Sequence, residues 1–525
     1  MRSLVLLLVL GACAAPTPST TPSPTLLGIS ADELRRDLHA FAADSFRGRE
    51  TGTPDEFRAA RWLANRLTAL GVEPAGDSFY FHRVPLARQV LGPATSFAVR
   101  TAQNTLPLGL IADVLPMTNL GPGAPLPKRS AEGDIFFAGY GMNTNGRDDF
   151  RGLNEAGKVI VMVHAAPPGI TDTVLRNRLE SQEELGNRLL RAVQKQPAAI
   201  ILLADGGARD FYQAAIPILT RGVTAAPGDM TRSDSERGFP MVVLGLVKQG
   251  SPLLPAGWPA DNGPQALTGK RFIAHVDQRN ETFTSYNVVG VVRGTDPRWN
   301  KTYVAYGAHY DHAGIQSGMS PDSIANGADD DGSGSVALLA LAKSFKANPP
   351  KRSVLFVWHS GEEKGLLGSV AYTARPTVPI DSIVAMMNMD MIGRWGGSTS
   401  SWNEKTQGEA AANRVYIVGP AAAPNEQSRN LGGLLDSVNA RQLMPFQFDR
   451  TWDDPNHPER IYFRSDHINY ANKGIPILFF TTGLHEDYHK VSDEASKIDY
   501  EKMRRISMLL LELGTTIGNR ESRLR

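Results

Sequence analysis

Five short loops rich in acidic residues and histidine constrain the fold of this 525-residue chain more than any other feature. Most of them directly follow an apolar, β-rich run. In one-letter code they read GAHYDH at 307–312, GADDDGSG at 327–334, SGEEKG at 360–365, NMDMIG at 388–393 and DYH at 487–489. Because ligands bind beyond the carboxyl ends of the strands in parallel sheets, we expect these loops to meet at one edge of one sheet.

Strand-like and helical patterns alternate from residue 286 onward. One helical pattern covers 335–345, and the strand-like runs are 286–292, 302–306, 353–358, 383–389 and 475–480. Alternation of this kind predicts an α/β fold with a mostly parallel, doubly wound sheet that carries helices on both faces.

The character of the sequence changes between residues 106 and 274. This part contains a helical pattern near Leu189, many glycine and proline breaks, and short β-type runs at 133–139, 158–163 and 198–203. None of the five loops falls within it. We therefore expect a β-rich accessory domain, inserted into a main domain that consists of residues 28–105 and 275–525.

The first 27 residues predict a membrane anchor and a tether. A short apolar run ends in Leu10-Gly11-Ala12-Cys13, which resembles the processing site of a bacterial lipoprotein. Residues 1–12 would then be a signal peptide, and residues 13–27, rich in Pro, Ser and Thr, a tether. Ala14 resembles an outer-membrane sorting signal. A lipid on Cys13, the sole cysteine, would be the only membrane contact; in an ordinary secretory signal this cysteine would be incidental.

Several classes of protein are disfavoured. The formal net charge of +1 argues against a nucleic-acid partner, because phosphate binding needs a concentrated positive field. The apolar run near the amino terminus is too short to span a bilayer, which takes about 20 residues. The G-x-S-x-G motif of serine hydrolases and the P-loop do not occur. A small or peptidic substrate is expected, and the oligomeric state is left open.

The acidic loops have the residue types that a pair of divalent ions requires. Two metal ions about 3.5 to 4 Å apart need a bridging carboxylate, and the triple acid Asp329-Asp330-Asp331 can supply it. The neighbours Glu362 and Glu363 can divide two tasks: one binds metal, and the other takes a proton from a water molecule that a metal has made acidic. Contiguous acids before a helix start are unlike a calcium loop, in which acids alternate with other residues.

A competing pattern lies in the last loop. Residues 485–489 match the H-E-x-x-H motif of single-zinc proteases, whose two histidines lie on one face of a helix. The preceding strand-like run, Gly483 and nearby prolines predict no helix here. We therefore interpret the match as accidental and expect His485 to be a bystander or to lie behind the metal ligands.

In order and spacing, these motifs resemble the co-catalytic di-zinc aminopeptidases of metallopeptidase family 28, relatives of glutamate carboxypeptidase. The resemblance covers about residues 280–510 and extends to ETGTP at 50–54. It implies a zinc-exopeptidase fold and two Zn²⁺ ions. One ion would be held by His309, Asp330 and Asp390, and the other by Asp330, Glu363 and His489. The arrangement of the insert resembles a protease-associated domain.

The same resemblance assigns roles around the metals. Glu362 matches the general base, and Asp311 matches the acid that orients the imidazole of a metal-bound histidine. Asp331 corresponds to a residue that follows a cis peptide bond. Tyr488 matches a tyrosine that some members use to polarise the scissile carbonyl.

The implied function is that of a zinc-dependent exopeptidase, specifically an aminopeptidase acting on peptides. Glu362 would take a proton from the attacking water and pass it to the leaving amine. A carboxypeptidase or a glutaminyl cyclase would keep nearly the same ligands. A further alternative is a surface lipoprotein that only binds metal, but structural zinc sites usually contain cysteine and leave no spare base such as Glu362.

Overall fold

The computed structural model describes residues 28–118, 127–144, 147–210, 212–213, 216, 222–230, 239–260, 262–316, 322–397, 409–420 and 426–523. The predicted signal peptide, the tether and Cys13 lie outside these residues. Within the described ranges, no helix combines the length and the apolar character needed to cross a bilayer.

The strands and helices follow one another along the whole chain. Strands before residue 150 are β1 Glu73–Pro74, β2 Phe81–Leu91, β3 Ser96–Arg100, β4 Thr105–Leu108, β5 Val114–Met117, β6 Ser130–Phe137, β7 Asn143–Thr144 and β8 Arg147–Asp148. Next come β9 Val159–His164, β10 Ala199–Ala204, β11 Val223–Ala225, β12 Met241–Leu246 and β13 Gln265–His275. The rest are β14 Gln278–Val292, β15 Tyr303–His309, β16 Gly314–Ile315, β17 Ile324–Ala325, β18 Ser353–His359, β19 Ile383–Met389, β20 Arg414–Val418, β21 Gln447–Asp449 and β22 Ile477–Thr481. The α-helices are α1 Ala31–Phe41, α2 Pro54–Ala69, α3 Thr173–Leu179, α4 Gln182–Val193, α5 Gly334–Ala347, α6 Leu367–Ala374, α7 Glu409–Ala412, α8 Glu426–Asn439, α9 His467–Ala471 and α10 Tyr500–Asn519.

One large sheet positions the acidic loops. Its strand order is β11-β2-β14-β18-β15-β19-β22-β20-β21, with β1 paired to β14. The four central strands β18, β15, β19 and β22 run parallel, while β14 joins β18 in antiparallel fashion and β20 joins β22 likewise. The predicted α/β class is confirmed. The antiparallel strands lie outside the four-strand parallel centre.

Helices cover both faces of this sheet, because side chains of the buried strands point alternately to opposite sides. On one face, Val304 and Tyr306 of β15 pack in a core that also holds Leu38 of α1, Leu341 of α5 and Leu510 of α10. On the other face, the alternate residues Tyr303 and Ala305 contact a cluster with Tyr372 of α6 and Tyr470 of α9. Each of the strands β15, β18 and β19 has seven residues, and all of them are buried, as expected for central parallel strands.

The amino-terminal helices add to the first core, and α2 begins at a side-chain cap. At α2, the Thr53 side chain accepts from the backbone N–H of Glu56, and Pro54 occupies the first helical position. The Glu56 carboxylate reaches back to the N–H of Gly52, over 2.6 Å. At α1, in contrast, Ser30 makes no side-chain capping hydrogen bond.

A second sheet lies in the inserted part of the chain. Its order is β4-β3-β13-β6-β9-β10-β12-β5, and its buried residues form two clusters that contain no buried residue of the main core. Since β3 pairs with β13 and β4 pairs with β3, the insert begins near Ser96 and not at residue 106. The predicted boundary was therefore about ten residues late. Its carboxy-terminal limit near 275 agrees with the end of β13.

The insert also contributes one short strand to the main sheet. Residues Val223–Ala225 of β11 pair with Ala87–Gln89 of β2, at the edge of that sheet. The insert is entered from β2 and left into β14, which are themselves paired along eleven positions. The two domains are thus joined through a long two-stranded ribbon.

Candidate metal centre

The carboxyl ends of the parallel strands bring the predicted ligands together. His309 is the last residue of β15, and Asp390 directly follows β19. Glu363 comes four residues after β18 ends, Asp330 lies in the turn before α5, and His489 lies in a turn after β22. The expectation that these loops meet at one edge of the sheet agrees with the geometry.

A first group of three side chains contains His309, Asp330 and Asp390. The Nε2 atom of His309 lies 3.1 Å from Oδ1 of Asp330 and 3.6 Å from Oδ1 of Asp390. Ser465 donates from its hydroxyl to the second oxygen of Asp390, over 2.7 Å, which fixes that carboxylate. Ligand atoms at these spacings can share one ion.

A second group forms on the other oxygen of Asp330. Oδ2 of Asp330 lies 3.2 Å from Nε2 of His489, and the same nitrogen lies 3.1 Å from Oε2 of Glu363. Asp330 therefore divides its two oxygens between the groups, as a bridging carboxylate must. The His489 side chain is 43% exposed, whereas Asp330 is nearly buried, so solvent and substrate reach the centre from the His489 side.

The predicted residues fit two metal ions by their chemistry as well as their spacing. Buried polar atoms are normally hydrogen-bonded, yet Nε2 of His309 and Oε1 of Glu363 have no hydrogen-bond partner among the described residues. Histidine nitrogens and carboxylate oxygens are the donor atoms that zinc accepts. Burial alone would raise the pKa of Glu363, but His489 lowers that pKa well below its ordinary value, which keeps the carboxylate ionised.

Glu362 lies beside this cluster without joining either group. Its Oε2 is 4.0 Å from Nε2 of His309, and it lines the same cleft as Asp330 and Asp390. Burial raises the pKa of Glu362 well above its ordinary value, and the Asp390 and Glu363 carboxylates add to the shift. A carboxylate that holds a proton readily, next to a metal site, is suited to proton transfer.

Asp311 orients its neighbours differently from the expectation. Nδ1 of His309 lies 3.1 Å from the backbone carbonyl of Asp311, while the nearest carboxylate oxygen is 3.8 Å away. The carboxylate instead accepts from the backbone N–H of Glu362, over 3.1 Å, and from the hydroxyl of Thr51, over 2.7 Å. The predicted carboxylate contact to the imidazole is thus replaced by a carbonyl contact, and the carboxylate positions the Glu362 loop.

Asp331 holds the backbone around the centre. Its carboxylate accepts from the N–H groups of His309, over 3.1 Å, and Gly334, over 2.8 Å. The peptide bond between Asp330 and Asp331 is cis, as the resemblance implied. Asp331 therefore fixes the strand end and the helix start that carry the ligands, and is itself no member of either metal group.

The H-E-x-x-H match does not form a helical site. Residues 486–489 form a turn, and His489 has a left-handed φ of 57°. His485 is buried and directs Nε2 to Oδ2 of Asp329, 3.2 Å away. It lies behind the triple acid, in agreement with the expectation that His485 is not a ligand beside His489.

Three residues that support the centre were not predicted. Arg49 is fully buried and donates to the carbonyls of Tyr310 and Asn326, each over 2.7 Å, so it connects the loops on either side of the site. Asp493 accepts from the N–H of Asp330, over 3.1 Å. No local pattern identifies such residues, because their partners come from distant parts of the chain.

The third unpredicted residue, His312, contacts the second group directly. Its Nδ1 lies 2.7 Å from Oε1 of Glu363 and 3.9 Å from Oδ2 of Asp330. Its ring packs edge-on against His489, with 5.9 Å between the ring centroids. The signal was present in the sequence, because the first loop, HYDH, contains two histidines.

A cleft opens beside the metal centre. The candidate ligands Asp330, Asp390 and His489 line it together with Glu362. Tyr488 and Arg464 lie on its wall together with the apolar residues Met391, Trp452, Ile461, Phe479 and Leu484. Burial and nearby carboxylates raise the pKa of Tyr488 above its ordinary value, so its hydroxyl stays a donor at neutral pH.

Residues 287–514 match the model of Peptidase family M28. This segment contains every candidate metal residue, Glu362 and Tyr488, and it leaves out the insert. The fold agrees with solved structures over nearly the full length. An aminopeptidase from Aneurinibacillus sp. strain AM-1 has a TM-score of 0.52 at 17% identity, covering 95% of this chain and 96% of that one. A zinc aminopeptidase from Bacillus subtilis gives 0.52 at 16%, covering 95% and 98%. At these identities, the similarity shows the fold.

Curated relatives share sequence with a part of the chain. The "probable leucine aminopeptidase 2" of Aspergillus oryzae is 29% identical over 204 residues, which are 38% of this chain and 34% of the relative. "Leucine aminopeptidase 1" of Trichophyton rubrum is 26% identical over 261 residues, or 47% and 62%. A "Probable zinc metalloprotease" of Pyrenophora teres f. teres is matched over 49% of its length. The chain thus spans about a third to two thirds of these relatives.

Proposed function

We propose that this protein is a zinc-dependent aminopeptidase that binds two Zn²⁺ ions and removes residues from the amino end of peptides. The main observation behind the proposal is that Asp330 places one carboxylate oxygen in each of two ligand groups, while Glu362 lies beside both groups and belongs to neither. The M28 match over residues 287–514 supports it, as do the aminopeptidase names of the relatives.

In the proposed reaction, zinc bound in these groups would supply Lewis acidity that makes a water molecule acidic near neutral pH. Glu362 takes a proton from the attacking water and delivers it to the leaving amine. The hydroxyl of Tyr488 donates a hydrogen bond to the scissile carbonyl oxygen as negative charge develops there. Asp311 and Thr51 hold the Glu362 loop in place during both proton transfers.

The apolar cleft wall indicates which substrates fit. Met391, Trp452 and Phe479 offer no charged partner for a side chain, and Arg464 on the same wall already contacts Tyr488 and Glu459. Burying an unpaired charge there is costly. We therefore infer a preference for apolar residues at the amino end of the substrate, in keeping with the names of two relatives.

The test combines metal content with end specificity. Zinc per chain is measured on the purified protein, and hydrolysis is followed on reporter peptides with a free amino end, a blocked amino end, or a free carboxyl end only. We expect two zinc ions per chain and cleavage that requires a free amino end. Cleavage after Leu should be faster than cleavage after Asp. Carboxyl-end cleavage or one zinc per chain would overturn the proposal.

We also infer that Cys13 carries a lipid that anchors the protein in the cell envelope, with outer-membrane sorting, and that the insert is a protease-associated type of domain. The lipobox-like sequence around the sole cysteine supports the anchor. Mass spectrometry of the mature amino terminus tests it: a diacylglycerol-modified Cys13 is expected, and an unmodified terminus elsewhere would contradict it.

A further inference from the structure

We propose that His312 is an additional ligand of the second metal ion, so that this ion is held by Asp330, Glu363, His489 and His312. This inference rests on the proposed function, because it assigns a residue to the metal centre of that reaction. The loop HYDH would then supply one histidine to each ion, His309 to the first and His312 to the second.

The first argument is the close approach of two atoms that form no well-aligned hydrogen bond. Nδ1 of His312 lies 2.7 Å from Oε1 of Glu363, yet neither atom has a hydrogen-bond partner among the described residues. With Nδ1 unprotonated, as a metal-bound histidine requires, this contact places two lone pairs against each other, which is favourable only when a cation binds both. His309, a predicted ligand, has the same property at Nε2.

The second argument is that the other atoms of the second group are also within reach of one ion. Nδ1 of His312 and Oδ2 of Asp330 are 3.9 Å apart, and each also lies within 4.8 Å of one Glu363 oxygen. His489 approaches the same two carboxylates from the solvent side. Histidine nitrogens and carboxylate oxygens are donor atoms that zinc accepts, and a catalytic zinc can expand to five ligands, which leaves a position for water.

The third argument is that the imidazole is held in place. His312 is fully buried, and its backbone N–H donates to the carbonyl of Arg49, over 3.3 Å. A Cβ at Gly327 would lie 2.5 Å from Cγ and Cδ2 of the ring. Glycine at position 327 therefore makes room for this imidazole. Because packing already fixes the His312 side chain, metal binding does not have to order it.

An uncharged histidine could instead only buttress Glu363 through a hydrogen bond. That role requires an N–H of His312 that points at Oε1 of Glu363, and neither atom meets the angle that a well-formed hydrogen bond needs in the metal-free arrangement. The proposal and this alternative give different distances once metal is bound. A coordinated Nδ1 lies about 2.0 to 2.1 Å from zinc, whereas a buttressing nitrogen stays more than about 3 Å from it.

The deciding experiment is a crystal structure of the intact protein loaded with zinc, with anomalous difference maps that locate each ion. A bond from Nδ1 of His312 to the second zinc is expected. A zinc held by Asp330, Glu363 and His489 without this bond overturns the inference. The result is independent of turnover, so it stands even if the reporter peptides show no aminopeptidase activity.

Solution measurements provide a second test. In chelator competition, His312→Phe, which keeps a ring and removes the nitrogens, should bind the second zinc at least about tenfold more weakly. Even the loss of a residue that contacts a ligand, and not the metal itself, lowers metal affinity by that much. His164→Phe is the matched control: it is another buried histidine, at the end of β9 in the insert, and zinc affinity should stay as in the unaltered protein. Equal second-zinc affinity in His312→Phe would overturn the inference.

Discussion

Arg464 donates a hydrogen bond from Nη2 to the hydroxyl oxygen of Tyr488, over 3.0 Å. Because this oxygen accepts from Arg464, its own hydrogen is free to point elsewhere in the cleft. The Tyr488 ring also stacks on His489, with 3.8 Å between centroids. The hydroxyl is thus fixed from two sides, next to a predicted metal ligand.

We expect Arg464→Met to lower kcat about tenfold with little change in KM, because a hydrogen bond to a charged donor contributes about 1.5 to 3 kcal/mol. The same substitution in a Tyr488→Phe background should change kcat less than about twofold. Steady-state kinetics of the four proteins measure the coupling. A tenfold loss in both backgrounds would show that Arg464 acts independently of Tyr488. Glu459→Gln, which removes a carboxylate 3.6 Å from Arg464, serves as the control.

Glu362 and Glu363 are adjacent in sequence but should respond differently to the same substitution. Glu362→Gln is expected to keep both zincs and to lower kcat by at least about 10²-fold, because it removes the proton carrier. Glu363→Gln is expected to lose the second zinc, since it removes a ligand. Metal analysis and reporter hydrolysis on both variants check this. Near-normal turnover of Glu362→Gln would refute its role.

Glu56 should make stability depend on pH. Its carboxylate is 2% exposed and accepts from Ser285, over 2.7 Å, and from Ser360. Burial, together with Asp311, raises the pKa of Glu56 to about 7. An acid whose pKa is higher in the folded than in the unfolded protein stabilises the fold fully at pH values below the unfolded-state pKa. This stabilisation is lost as the pH rises through the folded-state pKa.

The unaltered protein should therefore lose up to about 3 kcal/mol of unfolding free energy between about pH 4.5 and about pH 7 through this group. Glu56→Gln should reduce that slope. Ser285→Ala should steepen it, because the lost hydrogen bond lowered the pKa of Glu56. Urea unfolding at several pH values measures the three slopes. Parallel curves for the unaltered protein and Glu56→Gln would contradict the assignment.

The sequence predicted those parts of the site that depend on local pattern. Strand-like runs located the ends of β15, β18 and β19 and the loops that follow them, and the family resemblance then assigned His309, Glu363 and Asp390 as ligands. Arg49 could not be predicted, because its role depends on carbonyls at 310 and 326 that only the folded chain brings near. His312 was visible in HYDH, but no local pattern indicated that its side chain contacts Glu363.

Hydrogen-bond detail was likewise beyond the sequence. The family resemblance implied that Asp311 orients His309. Whether the carbonyl or the carboxylate of Asp311 turns toward the ring depends on Thr51, which is 260 positions away in the chain. The amino-terminal limit of the insert was missed for a related reason, because the pairing of β3 with β13, far along the chain, decides which sheet β3 joins.

The insert can be removed at a defined place. Leu91 and Gln278 are cross-strand partners at the end of the β2–β14 ribbon, so an Asn-Gly turn in place of residues 92–277 should close a two-residue hairpin. Since the insert has its own cores and holds none of the candidate ligands, the shortened protein is expected to fold, bind two zincs and cleave short reporters within a few-fold of the normal rate.

The same deletion tests whether the insert restricts access to the cleft. If it does, the ratio of long-peptide to short-peptide kcat/KM should rise when residues 92–277 are removed, because the open side near His489 becomes accessible to longer chains. A matched variant that changes only β11, with Thr224→Pro, should break its pairing to β2 and keep the rest of the insert. An unchanged ratio in the deletion variant would show that the insert does not select substrates by length. A raised ratio in both variants would show that the pairing of β11 with β2 is what restricts access to the cleft.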